Sequence, residues 1–305
     1  MKIFTENQSA KWFVSTKNAI SYSIIEYPDL FSSGDPQLFD KLKKDSNSRR
    51  LIIIDKEVNK HFGEKINAYF KRNNITVKTF SIEIKEEYKT VETLFTILRE
   101  FDNFKLLRRR EPIIAIGGGV LLDIVGIASN LYRRGVPYIR VPTTLVGLID
   151  ASIGIKTGVN FNNHKNRIGT YYPPLITYID STFLATLDSR QISNGLAEVL
   201  KIALIKDKAL FNLLEKHCKE LLSQKFQNYT FSQVILRKAI KNMLEELEPN
   251  LWESNLERLV DFGHTFSGIL EIKSRNALLH GEAVSIDMAL TSIISYKRRL
   301  ITKKN

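Results

Sequence analysis

A mainly parallel α/β domain followed by an all-α domain is the fold class this 305-residue sequence predicts. Short β-rich runs alternate with helical spacing up to about residue 180, and after Phe183 the spacing turns helical almost throughout. The length also exceeds what one compact core ordinarily supports. The change of pattern falls near 180–186, which divides the chain into domains 1–182 and 183–305.

Residues 51–55 (Leu-Ile-Ile-Ile-Asp) read as a buried parallel strand and 75–80 as a second. Between them Val58, Phe62, Ile66 and Phe70 recur at helical spacing over 57–72. A helix over 90–104 precedes a strand at 113–116, and 137–141 supplies one more strand. The glycines and asparagines of 153–172 predict a hairpin with loops. Helices follow at 191–205, 208–222, 232–247, 256–271 and 281–296.

Hydrophobic residues make up 43% and charged residues 26%, an ordinary globular balance. Cys218 is alone, which excludes an intramolecular disulfide and fits a reducing compartment; with no basic-then-apolar leader pattern, a cytoplasmic location is expected. The apolar stretch 113–131 approaches membrane-span length, but Gly117, Gly118, Gly119 and Asp123 suit a strand, a tight turn and a helix start, so no membrane partner is expected. The net charge of +12 comes from scattered residues: Lys41, Lys43, Lys44, Arg49 and Arg50, then Arg108, Arg109 and Arg110, then Lys297, Arg298 and Arg299. They form no recognition helix and no aromatic platform is interleaved with them, so nucleic acid is not the expected partner. A positive surface does suit a phosphorylated small molecule.

The chemistry concentrates between Gly117 and Lys201. Three glycines after a hydrophobic strand let backbone N–H groups approach a pyrophosphate, with the dipole of the next helix favouring the charge. A glycine triple alone serves equally as a tight turn. Asp123, four residues past the last glycine and able to reach a ribose or nicotinamide group, favours a Rossmann-like dinucleotide site. Thr143 and Thr144 follow a strand, where α/β sheets bind ligands. In the helical half, His264 lies in Asp-Phe-Gly-His-Thr-Phe and His280 in Leu-Leu-His-Gly-Glu, both near expected helix starts. Glu198 and Lys201 share a helix face. Two imidazoles and a carboxylate would leave Zn²⁺ an open position, although histidines at helix starts also serve as plain caps. His61, His164 and His217 read as surface or loop residues.

Taken together, segments 112–201 and 260–287 resemble the sugar phosphate cyclases, the family of 3-dehydroquinate synthase, and the likeness runs from about Arg50 to the end of the chain. The resemblance implies a dehydroquinate synthase-like fold with NAD in the α/β domain, zinc (with Co²⁺ an alternative) in the helical domain, and a homodimer. It implies a reaction that turns a seven-carbon sugar phosphate into a carbocycle by transient oxidation, loss of phosphate, re-reduction and an intramolecular aldol step. The matching metal ligands are Glu198, His264 and His280. Iron-type alcohol dehydrogenases share the fold and a glycine triple, but use an aspartate with three histidines, a set this sequence does not show. The matching NAD contacts are Asp55, Glu86, Lys89, Gly118, Gly119, Val120, Asp123, Thr143, Thr144, Lys165, Phe183, Thr186, Leu187 and Gln191. Asp150, Lys156, Asn166 and Lys201 match substrate contacts, and Arg134 matches an arginine that reaches the substrate phosphate of a neighbouring subunit.

The departures from dehydroquinate synthase bear on substrate. Where that enzyme neutralises a substrate carboxylate with a lysine and an arginine, this sequence has Met243 and Glu257, and Asp261 stands in place of an asparagine as an acceptor for sugar hydroxyls. The runs 243–253 and 260–264, with the hairpin 158–171, resemble the 2-epi-5-epi-valiolone synthase branch, whose substrate, sedoheptulose 7-phosphate, has no carboxylate. Gly268 departs from that branch's usual proline, and the sequence ends at Asn305 where the branch continues, implying a shortened C-terminal domain. The alternatives are a dehydroquinate synthase with a rebuilt pocket, a sibling cyclase making 2-epi-valiolone or desmethyl-4-deoxygadusol, and a non-catalytic NAD- or sugar-phosphate-binding protein.

Overall fold

The structure, a computed structural model, describes residues 2–302 apart from 7–8, 17–18, 36–37, 40–47, 229 and 276, with side chains from Trp12 onward. Lys41, Lys43 and Lys44 therefore lie outside the described residues. A hairpin of β1 (Lys2–Glu6) and β2 (Ser9–Phe13) precedes a parallel sheet built from β3 (Ser23–Glu26), β4 (Arg49–Asp55), β5 (Thr76–Ile82), β6 (Ile113–Gly117), β7 (Tyr138–Pro142) and, after the antiparallel hairpin β8 (Lys156–Phe161) and β9 (His164–Tyr171), β10 (Ile176–Ile179). The six strands run in the order β3-β10-β7-β6-β4-β5, all parallel.

Alternation along β4 explains the layering. Ile52 and Ile54 pack on one face against Ile66, Tyr69 and Phe70 of α1 (Lys56–Arg72). Leu51 and Ile53 pack on the other face against Leu94, Ile97 and Phe101 of α2 (Val91–Asn103) and against Leu121 and Ile124 of α3 (Gly119–Leu131). Each helix starts where the sequence supplies a cap: Asp55 accepts from Glu57 N and Val58 N, and Thr90 from Thr93 N.

The helical half contains α4 (Ser189–Lys206), α5 (Lys208–Ser223), α6 (Ser232–Leu247), α7 (Ser267–Lys273) and α8 (His280–Lys297). Its core joins Ile192, Val199, Ile202, Leu210 and Ile235 to Leu145, Leu148 and Ile149 from the turn after β7. The expected helix over 256–271 does not form. A 3₁₀ turn spans Leu259–Asp261, Gly263 takes a left-handed φ of 80°, and regular helix begins only at Ser267. A Cβ at residue 263 would stand 2.8 Å from Met288 Cγ, so the break follows from a close approach to α8. Strands β3 and β10 went unrecognised in the sequence because they are four residues each, too short to show a period. The apolar stretch 113–131 is β6, the glycine turn and α3; among the described residues no helix is long and apolar enough to cross a membrane.

Candidate active site

From β4 the chain passes through α1 to β5 at one edge, and the sheet then continues on the other side of β4 through β6 and β7. The carboxyl ends of β4 and β6 thus frame the crevice where open α/β sheets bind ligands. A cavity of about 1300 Å³ opens there, lined by Asp55, Gly118, Thr143 and Thr144 on the sheet side and by Met243, His264 and His280 on the helical side.

Gly118 caps α3 without a side chain, so the first-turn N–H groups of this 13-residue helix have no side-chain partner. A Cβ on Gly118 would lie 3.1 Å from Thr144 Cγ2, and one on Gly119 would lie 3.0 Å from Ala151 Cβ, so at these two positions the backbone itself lines the cavity. That cradle fits a dinucleotide pyrophosphate. Val120 and Asp123 follow on the same wall, and Phe183, Thr186, Leu187 and Gln191 line the adjoining one. The Phe183 ring itself is buried, packing edge-on to Phe62 at 4.7 Å.

The hairpin closes the crevice through ion pairs. Buried Lys89 donates from Nζ to Asp123 Oδ2 and to Asn166 Oδ1, both at 2.6 Å. Asn166 is left-handed at φ 51°, and its N–H donates to Asn160 Oδ1 at 2.8 Å. Lys165 stands 3.5 Å from Glu86 Oε1 and donates to Glu271 Oε2 across the cavity.

Glu198, His264 and His280 converge, with one ligand atom of each within 4.8 Å of the others. Glu198 on α4 is fully buried, and neither of its oxygens makes a well-directed hydrogen bond, although Lys201 Nζ lies 2.5 Å from Oε2. Both histidines engage Nδ1 elsewhere: that of His264 faces Phe262 O at 3.2 Å, and that of His280 faces Glu271 Oε1 at 3.1 Å. Their Nε2 atoms stay available, and His280 Nε2 lies 3.4 Å from Glu198 Oε1. An orphaned buried carboxylate facing two imidazoles anchored through Nδ1 fits a divalent metal with a position left for an oxygen ligand.

Charge balance in the site is local. Burial alone would raise the Glu198 carboxyl, but Lys201 and His280 hold it well below the ordinary carboxylate range. Burial disfavours the charged form of Lys201, yet Glu198 and Asp150 hold its pKa above the ordinary lysine value. Burial likewise opposes charge on His280, and Glu198 and Glu271 overcome it, raising the imidazole to about 10 in the metal-free chain. For His264 burial is the largest effect and Lys201 adds to it, so its pKa falls.

Lys156, Asp150 and Asp261 also line the cavity, and Lys201 faces it from α4. Arg134 does not: it is exposed in the turn after α3, outside the cavity. Glu257, which stands where dehydroquinate synthase has a carboxylate-binding cation, is exposed and outside it as well, so its own charge does not bear on the pocket wall. Its neighbour Arg258 lines the cavity instead. Arg258 donates from Nε and Nη2 to Asp261, at 2.8 and 2.5 Å, and from Nη1 to Glu253. Asp261 is therefore first of all the partner of Arg258. Glu253, Arg258 and Glu271 were not singled out in the sequence, because each acts through partners distant in the chain.

Comparison with known proteins agrees with this geometry. The 3-dehydroquinate synthase N-terminal family matches residues 79–194 and its C-terminal family residues 195–305. A 2-epi-5-epi-valiolone synthase of Streptomyces albus is 47% identical over 310 residues, covering 99% of this chain and 75% of that protein. A demethyl-4-deoxygadusol synthase of Trichormus variabilis is 38% identical over 304 residues, covering 97% of this chain and 73% of that one. The solved 2-epi-5-epi-valiolone synthase of Streptomyces hygroscopicus subsp. jinggangensis 5008, with NAD⁺ and Zn²⁺ bound, superposes with a TM-score of 0.91 at 49% identity, covering 96% of this chain and 79% of that one. The chain thus spans about three quarters of these relatives. With both family regions matched end to end and a glycine cradle facing a Glu-His-His cluster across one cavity, the chain belongs to the 3-dehydroquinate synthase family of sugar phosphate cyclases.

Proposed function

We propose that this chain is an NAD- and zinc-dependent cyclase that converts sedoheptulose 7-phosphate to 2-epi-5-epi-valiolone with loss of phosphate, acting as a cytoplasmic homodimer with domains 1–182 and 183–305. The observation that carries the proposal is the single cavity in which the Gly118-Gly119 cradle faces Glu198, His264 and His280. The substrate follows from the relatives named 2-epi-5-epi-valiolone synthase and from Met243, a chargeless side chain in the pocket wall.

The nicotinamide would take up and return a hydride, and the metal would supply Lewis acidity to a substrate oxygen. Gly118, Gly119 and Val120 would hold the pyrophosphate with backbone N–H groups, and Asp123 the adjoining sugar, its carboxylate fixed by Lys89. Asp55, Glu86, Thr143, Thr144, Lys165, Phe183, Thr186, Leu187 and Gln191 would complete the cofactor wall. Lys201, protonated beside Glu198, would direct an N–H toward substrate hydroxyls, with Lys156, Asn166, Asp150 and Asp261 completing that shell. Arg134, exposed outside its own cavity, would serve the phosphate bound by a partner subunit.

The test is release of inorganic phosphate from sedoheptulose 7-phosphate with catalytic NAD⁺ and Zn²⁺, with the carbocycle identified by NMR. Turnover of the carboxylated dehydroquinate precursor instead would make the chain a dehydroquinate synthase. A desmethyl-4-deoxygadusol or 2-epi-valiolone spectrum would make it a sibling cyclase. Ligand-induced thermal stabilisation with no phosphate release would make it a binding protein.

A further inference from the structure

Glu253 occupies a position that packing alone does not explain. It takes a left-handed φ of 52°, uncommon for a residue with a Cβ, in a turn closed by its N–H to Asn250 O at 2.9 Å. Trp252 fixes that turn edge-on against Tyr171 of β9 at 5.6 Å, and Tyr171 Oη lies 3.3 Å from Glu253 Oε2. The side chain, 15% exposed, points into the cavity wall. There Oε1 meets Lys156 Nζ at 2.9 Å and also accepts from Arg258 Nη1. Burial opposes its charge, but Lys156 and Arg258 hold its pKa below the ordinary glutamate value. With Asp261 on the other edge of Arg258, two cations and two carboxylates form one neutral row along the substrate wall.

We infer that Glu253 is a specificity-determining residue: by occupying Lys156 and Arg258 it removes the positive field that would hold a substrate carboxylate. The inference rests on the sugar phosphate reading of this cavity and deepens it. The pocket does contain an arginine, so the chargeless Met243 does not by itself exclude an acid; prior occupation of the cations in the wall completes the exclusion. An incoming carboxylate would have to displace Glu253, exchanging one charge-assisted pair for another and leaving a carboxylate unpaired in a part-buried site. A polyol needs only a hydroxyl contact with the same row.

The experiment is calorimetric titration of the native chain and Glu253→Gln, both loaded with Zn²⁺ and with NADH, which cannot accept the first hydride, with sedoheptulose 7-phosphate and with a heptulosonate 7-phosphate that carries a carboxylate. The native chain is expected to prefer the neutral sugar. Glu253→Gln should shift the affinity ratio toward the acid by about tenfold or more, as expected for freeing close charged groups. Glu253→Asp, which keeps the charge, should retain the native preference, and Asp261→Asn, which frees only the other edge of Arg258, should shift the ratio in the same direction. A ratio unchanged within about twofold in Glu253→Gln, by ordinary calorimetric error, overturns the inference and leaves the proposed function standing. A native chain that binds neither sugar overturns both.

Discussion

Glu271 accepts from His280 Nδ1 at 3.1 Å and thereby turns the far side of the ring toward Glu198, with Nε2 at 3.4 Å from its carboxylate. The other oxygen of Glu271 receives Lys165 from the hairpin, so one buried side chain joins the candidate metal site to the cofactor wall. Partners of this kind fix ring orientation and ligand basicity. Replacing Glu271 with Gln should lower Zn²⁺ affinity by about 10- to 100-fold, read by chelator competition. Native affinity in a folded Glu271→Gln chain would show that the ring is held by other contacts.

The approach of α8 to α4 depends on Gly281. A Cβ there would lie 2.0 Å from Asn194 O, and Gly281 N donates to Asn194 Oδ1 at 2.6 Å. Asn194 is one turn before Glu198, and Gly281 directly follows His280, so the same contact sets the spacing of two metal ligands. Gly281→Ala is expected to destabilise by about 1–3 kcal/mol and to abolish tight Zn²⁺ binding. Thermal melting with and without Zn²⁺ reads both effects, and a variant that melts like the native chain and keeps the metal would contradict the argument.

Lys201 compensates a carboxylate with no well-directed hydrogen bond of its own. In Lys201→Met the metal-free chain would bury Glu198 without that partner, at about 3–5 kcal/mol. Zn²⁺ should recover much of that loss, because the ion replaces the lost positive charge. Urea midpoints with and without the metal measure it. An equal loss in both conditions would place the effect in packing instead.

Asp207 caps α5 through Leu210 N at 2.9 Å and meets Lys238 Nζ at 3.0 Å and Asn242 Nδ2 at 3.1 Å on α6. Burial would raise its carboxyl, but these partners bring it down to about 2. The folded value is below the unfolded one, so the stabilisation is complete above about pH 4 and is lost as pH falls toward 2. Asp207→Ala should cost about 1 kcal/mol at neutral pH, discounted for solvent screening, and progressively less as pH falls from about 4 toward 2. A pH-independent difference in urea denaturation would contradict the electrostatic origin.

The sequence by itself determined the α/β-then-helical order and the cofactor chemistry, though not the four-residue strands β3 and β10. Strand 51–55, the glycine turn at 117–119 and four of the five expected helices of the second half are local features, and hydrophobic period, turn chemistry and capping specify them within a few residues, while the helix expected over 256–271 is broken by the approach to α8. The residues of the Glu-His-His cluster were likewise named from the family resemblance, although 82 positions of sequence numbering, 198 to 280, separate its first and last members. Only the tertiary structure decided which charges meet. Asp261 is the partner of Arg258, Glu257 faces solvent, and Glu253 and Glu271 take central places that their sequence neighbourhood does not signal. The physical reason is that an ion pair depends on distance and burial, and both are set by how distant segments pack, while a helix or a phosphate-binding turn depends on neighbours along the chain.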